Sequence, residues 1–363
     1  MDVKHSQLAH YTGFDGLIGI LEKQCLWFSD ADGMNDEQEL QFGFDLVEEL
    51  VTSRLRNIVN PQIPEGYLTH IADFFRISLT YAKLNIEKND TLLDIRATKG
   101  VFIASFCEIE NEAKIENKDS VIQESYNRQN GLLSMFRGYG SEGGGFVIKF
   151  HKEKFEKLCL EILGEDLWFV GSKVEYLERN QSIDAIVNHF QKIKGQIKDG
   201  GSLDSHEAIL RLIEYLKQGI LRKAKDSKLE LGDLFLSGEF LREFTEKHYK
   251  EFYSILSGVI LSKHFGFHEE KEYRSCVILS HEDKNYEIKS RAGKDGRIRA
   301  YIEVFKDRKE NTLIKCIDEI LVGPSKNKRH NKRRIEEILL AKYPKIQGSK
   351  NKIKVRISET PYI

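Results

Sequence analysis

Phe267-His268-Glu269-Glu270-Lys271-Glu272-Tyr273-Arg274-Ser275-Cys276-Val277-Ile278-Leu279 sets a cluster of acids and bases directly against an apolar run. Residues Ser275 to Leu279 read as a buried strand, because a short continuous apolar run carrying β-branched residues is the pattern of a strand covered on both faces. On an extended chain, Glu270 and Glu272 fall on one face, roughly 7 Å apart. Two carboxylates at that separation can share one substrate, and each is expected to raise the other's pKa. Arg274 would lie on the same face, so a plain salt-bridged strand face with Lys263 nearby is the strongest competing reading of the spacing.

The other unusual polar residues lie at the far end of the chain: His10-Tyr11-Thr12, then Leu26-Trp27-Phe28-Ser29, then Asn35-Asp36-Glu37-Gln38-Glu39. A site assembled from both ends follows as the working expectation. Taken alone, His10 reads as a satisfied surface histidine above a packed Tyr11. Asn35 or Asp36 is a good helix N-cap, with acids in the first turn favoured by the helix dipole. A metal would need Asp30, Asp32, Asp36 and Glu39 to converge without any calcium-loop spacing, so the capping account is preferred and no metal is expected.

Between the two ends the chain is mostly helical. Helices are expected over Phe14 to Leu21, over Leu40 to Ile58 with Leu46, Val47, Leu50, Val51 and Leu55 on one stripe, and over Leu68 to Lys83. Pro61 and Pro64 separate the last two. A short helix is expected over Gly131 to Tyr139. Three more carry Ile183–Ile193, Ile209–Ile220 and Phe252–Ile260. Strands are expected over Val101–Phe106, Gly145–Phe150, Trp168–Tyr176, Arg274–Leu279, Ile298–Val304, Ile317–Val322 and Ile353–Ser358, with a helix over Lys332–Lys342. The fold class is α+β, with strands from both ends of the sequence and a helical insertion of about 80 residues between Asn180 and His264. The glycines Gly143, Gly144 and Gly145 match neither a dinucleotide fingerprint nor a phosphate-binding loop. They allow either close approach to a ligand or a flexible connection.

The bulk numbers exclude several classes. The 363 residues are 40% hydrophobic and 31% charged, with a formal net charge of −1. That is an ordinary globular composition without global attraction to nucleic acid or membrane. Locally, Lys326 to Arg356 holds 12 Lys or Arg against Glu336 and Glu337, a net +10 that leaves −11 for the rest. This basic segment could meet phosphates, or it could be a solvated face that balances an acidic body. Five widely spaced cysteines without a CxxC pair suit a reducing compartment. No segment approaches the ~20 apolar residues of a membrane helix, and no signal peptide is visible, so a cytoplasmic protein is expected.

The segments, taken in order, resemble a bacterial domain-of-unknown-function family, number 2971. The matching segments are His10-Tyr11-Thr12, Leu26–Ser29, Asn35-Asp36 with Glu39, Ser105–Glu108, Met135–Tyr139, Gly145–Ile148, Lys263 with Phe267, Glu270, Glu272 and Arg274, and Ile320–Pro324. Phe136 and Phe267 stand where the family usually has Trp. At the level of motif order, that family is similar to the ADP-ribosyltransferase superfamily. The resemblance implies a split β core formed by 1-40, 98-178 and 263-363 as one domain, with helical insertions at approximately 41-97 and 180-262. It implies NAD as substrate and an unknown protein or nucleic-acid acceptor. Glu272, Glu270 and His10 would be catalytic. His10, Tyr11, Thr12, Ser29, Asn35, Tyr139, Phe267 and Arg274 would contact the nucleotide. A toxin or antiviral defence effector would suit such an activity. The competing expectations are a nucleotide-binding sensor without turnover and a nucleic-acid binder that uses the basic segment.

Overall fold

The computed structural model describes residues 5–31, 39–58, 100–109, 125–140, 145–162, 168–196, 202–226, 247–279, 286–292, 296–306 and 313–361. The expected helix Leu68–Lys83, the residues Asn35 and Asp36, and Gly143 and Gly144 lie outside them.

In chain order the first elements are β1 (Gln7–Thr12), α1 (Phe14–Lys23), β2 (Leu26–Asp30), α2 (Glu39–Ile58), β3 (Val101–Ile109), α3 (Leu133–Tyr139), β4 (Phe146–His151) and α4 (Lys152–Ile162). The middle contains β5 (Trp168–Lys173), β6 (Glu175–Leu177), α5 (Ile183–Lys192), the hairpin β7 (Lys194–Gln196) and β8 (Ser202–Asp204), α6 (Ser205–Asp226), α7 (Tyr249–Ile260) and β9 (Ser262–His264). A 3₁₀ turn (Phe265–Glu270) leads to β10 (Glu272–Ile278), β11 (Lys289–Ala292), β12 (Ile298–Val304), β13 (Ile317–Val322), α8 (Lys328–Lys342), α9 (Pro344–Gln347) and β14 (Lys354–Ile357).

Strand β3 organises the molecule. Its nine residues, VFIASFCEI, are apolar enough to be covered on both faces, and seven of them are buried. One edge of β3 pairs with β10 along the whole strand, from Cys107↔Glu272 to Val101↔Ile278. The other edge is divided. Strand β1 takes residues 107–109, and β2 takes Phe102 and Ile103. The sheet therefore forks at Ala104–Phe106 into one arm of β1, β4, β13 and β14 and another of β2, β12 and β11. Strand β5 continues the stem beyond β10. Pairing is antiparallel except between β13 and β14, so the sheet is mixed and the architecture is α+β.

Paired residues of neighbouring strands point to the same face, and successive residues alternate. Phe102, Phe106, Tyr273, Val277, Phe28, Ile302, Val304 and Phe150 occupy one face, where Leu17 and Leu21 of α1, Phe155 of α4 and Ile335 and Leu339 of α8 pack against them. On the other face, Val101, Ile103, Cys276 and Ile278 are covered by the apolar stripes of α2, α5, α6 and α7, including Leu50, Phe190, Leu212 and Val259. Farther along this second face, Ala9, Tyr11, Cys107, Val147 and Leu321 are covered by Phe136 of α3. All five cysteines are free and buried.

Three features depart from expectation. The run Trp168–Tyr176 is not one strand: β5 ends at Lys173, and after Val174 the chain pairs with β9 in a separate two-stranded parallel sheet. Its imperfect alternation marks the change of partner. Helix α4 was not anticipated, although Phe155, Leu158, Cys159 and Ile162 have helical spacing. The segment between Asn180 and His264 also contains the β7–β8 hairpin.

Helices α2 and α7 cross closely at Gly43, where a Cβ would overlap the Val259 carbonyl oxygen and stand 2.6 Å from the Val259 Cα. Gly43→Ala is expected to destabilise the fold by about 1–3 kcal/mol, read from urea unfolding, because a backbone neighbour cannot rotate away. A second expectation concerns His189, buried in the helical layer with Nε2 2.6 Å from Ser262 Oγ. The Ser262 hydroxyl donates to the Gly258 carbonyl at 2.6 Å, so His189 Nε2–H is the donor of the pair. Burial lowers the His189 pKa from its ordinary 6.5 to about 4. The unfolded chain thus binds a proton first as pH falls, and stability present above pH 6.5 is lost towards pH 4. His189→Gln should flatten the loss of urea midpoint between pH 7 and pH 5; equal losses in both proteins would contradict this assignment.

Candidate functional site

The acid–base cluster is built where β9, the 3₁₀ turn and β10 meet. Strand β9 carries Lys263, and the turn carries Phe267 and Glu270. The extended reading of Glu270–Arg274 holds only from Glu272 onward. Glu270 ends the turn, and Lys271 adopts a left-handed backbone, φ 44°. The two carboxylates nonetheless converge. Lys263 Nζ donates to Glu270 Oε2 at 2.9 Å and to Glu272 Oε2 at 3.1 Å. Arg274 grips Glu272 with two bonds, Nε to Oε1 at 2.9 Å and one terminal nitrogen to Oε2 at 3.0 Å. Its other terminal nitrogen donates to the Ile260 carbonyl at the end of α7. Tyr176 of β6 accepts the Glu272 backbone N–H at 2.8 Å. The Phe267 ring lies 4.7 Å from Lys263 Nζ.

Arg274 is completely buried and Glu272 and Lys263 nearly so, whereas the Glu270 side chain keeps 22% exposure. Glu270 is therefore the carboxylate that meets solvent. The expected mutual raising of carboxylate pKa values does not govern Glu272. Burial pushes its pKa up, but the Arg274 guanidinium and the Lys263 ammonium reverse this and hold it below the usual carboxylate range. Beside it, burial and the Glu272 and Glu270 anions push the Cys107 thiol far up, so Cys107 is a protonated packing residue rather than a nucleophile. Burial likewise raises Tyr176 to about 12.

The register across the fork shows which expected residues share this face. Ala9, Cys107 and Glu272 form one cross-strand row. Two residues along, Ser105 pairs with Arg274, and two farther, Ser29, Ile103 and Cys276 form another row. Tyr11, Glu272, Arg274 and Ser29 therefore point to one side of the sheet. Tyr11 stacks edge-on against Phe136, ring centroids 5.3 Å apart, and its hydroxyl accepts the Leu132 N–H at 2.8 Å.

His10 and Thr12 alternate to the other side. The His10 ring packs 5.5 Å from that of Phe106, and its Nδ1 lies 3.2 Å from the Ser105 carbonyl, in the fork where β3 has no strand partner on that edge. Burial lowers the His10 pKa, partly opposed by that carbonyl, so the ring is neutral and Nδ1–H is the donor. Thr12 lies against Gly16 of α1. Tyr139 is exposed at the end of α3. Asn35 is outside the described residues. Among the described residues no group of histidines, cysteines and acids could hold a metal ion.

Two contributors were not anticipated. Tyr176 supports the Glu272 backbone from across a strand boundary that the sequence blurs. Arg291 of β11 reaches Ser29 Oγ at 3.3 Å; the alternation of Lys289 and Arg291 was its only sequence signal.

Removing Arg274 would strand a buried carboxylate. Arg274→Met should cost about 3–5 kcal/mol, and the double variant Glu272→Gln with Arg274→Met should recover much of it. A urea-unfolding cycle with no coupling between the two sites would mean that the pair does not act as a unit.

No curated protein and no solved structure matches the chain. A family model does match, over residues 135–275, a span that runs from α3 through Lys263, Glu270, Glu272 and Arg274. The family is described as protein of unknown function (DUF2971), and residues 135–275 of this chain are similar to it.

Proposed function

We propose that this chain cleaves the N-glycosidic bond of NAD and passes ADP-ribose to water or to a protein or nucleic-acid acceptor, on a split β core of the ADP-ribosyltransferase kind. The supporting observation is a buried carboxylate, Glu272, kept ionised by Arg274 and Lys263, with the more exposed Glu270 sharing the same lysine. As nicotinamide leaves, the C1′–N bond breaks and positive charge passes to the ribose as an oxocarbenium ion. A carboxylate that is already ionised and held in place stabilises such a charge without reorganising.

Arg274 and Lys263 use one acceptor direction on Glu272 Oε1 and two on Oε2. The Ser105 hydroxyl also bears on this carboxylate, so a ribose hydroxyl would take the place of Ser105 there. Glu270 takes the proton of the incoming water or acceptor as its oxygen or nitrogen bonds to C1′. Ser29 lies on the same face, whereas Tyr11, packed under Phe136 with its hydroxyl engaged by the Leu132 N–H, supports the sheet rather than the nucleotide. His10 acts as a positioning residue by holding the Ser105 carbonyl at the fork. The nucleic-acid reading of the basic segment has weaker support: Lys332 pairs with Glu336, and Arg333 and Arg334 pair with Glu337.

Nicotinamide release from NAD, followed by chromatography, tests the reading. The wild type should release it above background. Glu270→Gln should slow release about 10²-fold or more, and Glu272→Gln should slow it at least as much, with urea midpoints showing that the variants are folded. Background release by the wild type, or equal rates in all three proteins, would overturn the proposal.

A further inference from the structure

The crossover β13–α8–β14 carries the basic segment, and its first charges stand against the field of their own helix. A helix favours acids in its first turn and cations in its last. Helix α8 holds no acid in its first turn, and Asn327 supplies no side-chain cap. Instead Lys326 precedes the helix and Lys328 and Arg329 open it. Among the described residues these three cations form no ion pair. The arrangement costs stability in the free protein, and an anion at this end would relieve it.

The far end of the crossover is also charged. Lys345, Lys350, Lys352 and Lys354 are exposed, and among the described residues they form no ion pair either. Glu319, which lies opposite Lys354 in the β13–β14 register, is already engaged by Lys149 at 2.7 Å and by Arg356 at 3.1 Å. The pairs that Lys332, Arg333 and Arg334 make with Glu336 and Glu337 therefore quiet only the middle of α8. Its 15 residues hold the two charged ends roughly 22 Å apart. Over that length a nucleic-acid duplex carries roughly a dozen phosphate charges.

The occupant follows from what this surface has and lacks. Two separated groups of cations suit an extended polyanion better than a small one. Tyr343 is the one Phe, Tyr or Trp between Lys326 and Arg356, and it is buried with its hydroxyl donating to the Leu21 carbonyl. Without an exposed ring the surface offers no stacking platform for the bases of a single strand. A helix lying on a membrane presents a whole apolar face to it. Helix α8 turns Ile335 and Leu339 into the core and leaves Leu340 as its exposed large apolar side chain.

We infer that the β13–α8–β14 crossover docks on the phosphate backbone of double-stranded nucleic acid without reading its sequence. The inference goes beyond the proposed reaction and does not depend on it. Docking survives if no NAD is cleaved; if NAD is cleaved, it favours nucleic acid over protein as the acceptor.

Fluorescence anisotropy of the full chain with labelled DNA and RNA duplexes, about two helical turns long and of two unrelated sequences, tests it. At least one kind of duplex should bind, equally in both sequences, with affinity falling steeply between about 50 and about 200 mM salt. Replacing Lys326, Lys328 and Arg329 together by Gln should weaken binding about tenfold or more and reduce the log–log salt slope by about 2–3. The triple variant Lys350→Gln, Lys352→Gln and Lys354→Gln should do the same. Lys157→Gln, which removes an exposed cation of α4 paired with Glu161, should change neither quantity. Glu270→Gln should bind like the wild type even where it abolishes nicotinamide release, which separates docking from the reaction. The first triple variant should not lower the urea midpoint, because it removes cations from the positive end of a helix. The inference is overturned if neither duplex binds at low salt, if both triple variants bind like the wild type, or if Lys157→Gln weakens binding as much as they do. Sedimentation with phosphatidylserine-containing vesicles but no duplex binding would equally overturn it and assign the surface to a membrane.

Discussion

The divided edge of β3 is the constraint on which the molecule rests. A strand edge offers one row of backbone donors and acceptors. Here β1 takes one end of the row and β2 the other. The bonds not made between them have to be supplied otherwise, because an orphaned buried carbonyl costs about as much as a lost hydrogen bond. The His10 imidazole supplies one at Ser105. With the fork held open, two arms diverge from one stem, and residues from both ends of the sequence reach a common face.

The charge cluster on that face is expensive to assemble. Ions removed from water recover their solvation only if their partners satisfy nearly every lone pair and proton. Arg274 comes close to meeting this condition: it bonds both Glu272 oxygens and the last turn of α7. The contact also ties the helical layer to the sheet, since Ile260 ends a helix whose apolar side covers Cys276 and Ile278. Ion pairing and packing therefore cooperate at one place, and Lys263 extends the arrangement outward to Glu270, which meets solvent.

Much of this was legible in the residues. The apolar runs at Val101–Phe106 and Ser275–Leu279 and the amphipathic stripes of α1, α2, α5, α6 and α7 have periods that leave few alternatives. The joining of both chain ends followed from where the unusual polar residues lie. The sense of the Glu272 pKa shift was not legible, because sequence spacing shows neighbouring acids but not which cations a fold brings between them. Nor was the side on which His10 falls: a strand's pleat is evident only once its register is known, and one residue decides it. Arg291 was hidden for a related reason. Its strand is short and polar, and the residue it reaches, Ser29, belongs to the opposite end of the sequence.

Lys271 separates the two acids with a backbone turned into the left-handed region, φ 44°. For a side chain with a Cβ, that conformation costs about 1–2 kcal/mol. The twist lets Glu270 and Glu272 approach one ammonium from different directions, and a regular strand through this point would send them along parallel paths. Evolutionary drift at position 271 is narrowed as a result. Glycine or asparagine would ease the backbone, whereas valine or isoleucine, stiff at the β-carbon, would unwind the bend and draw the acids apart without touching either of them.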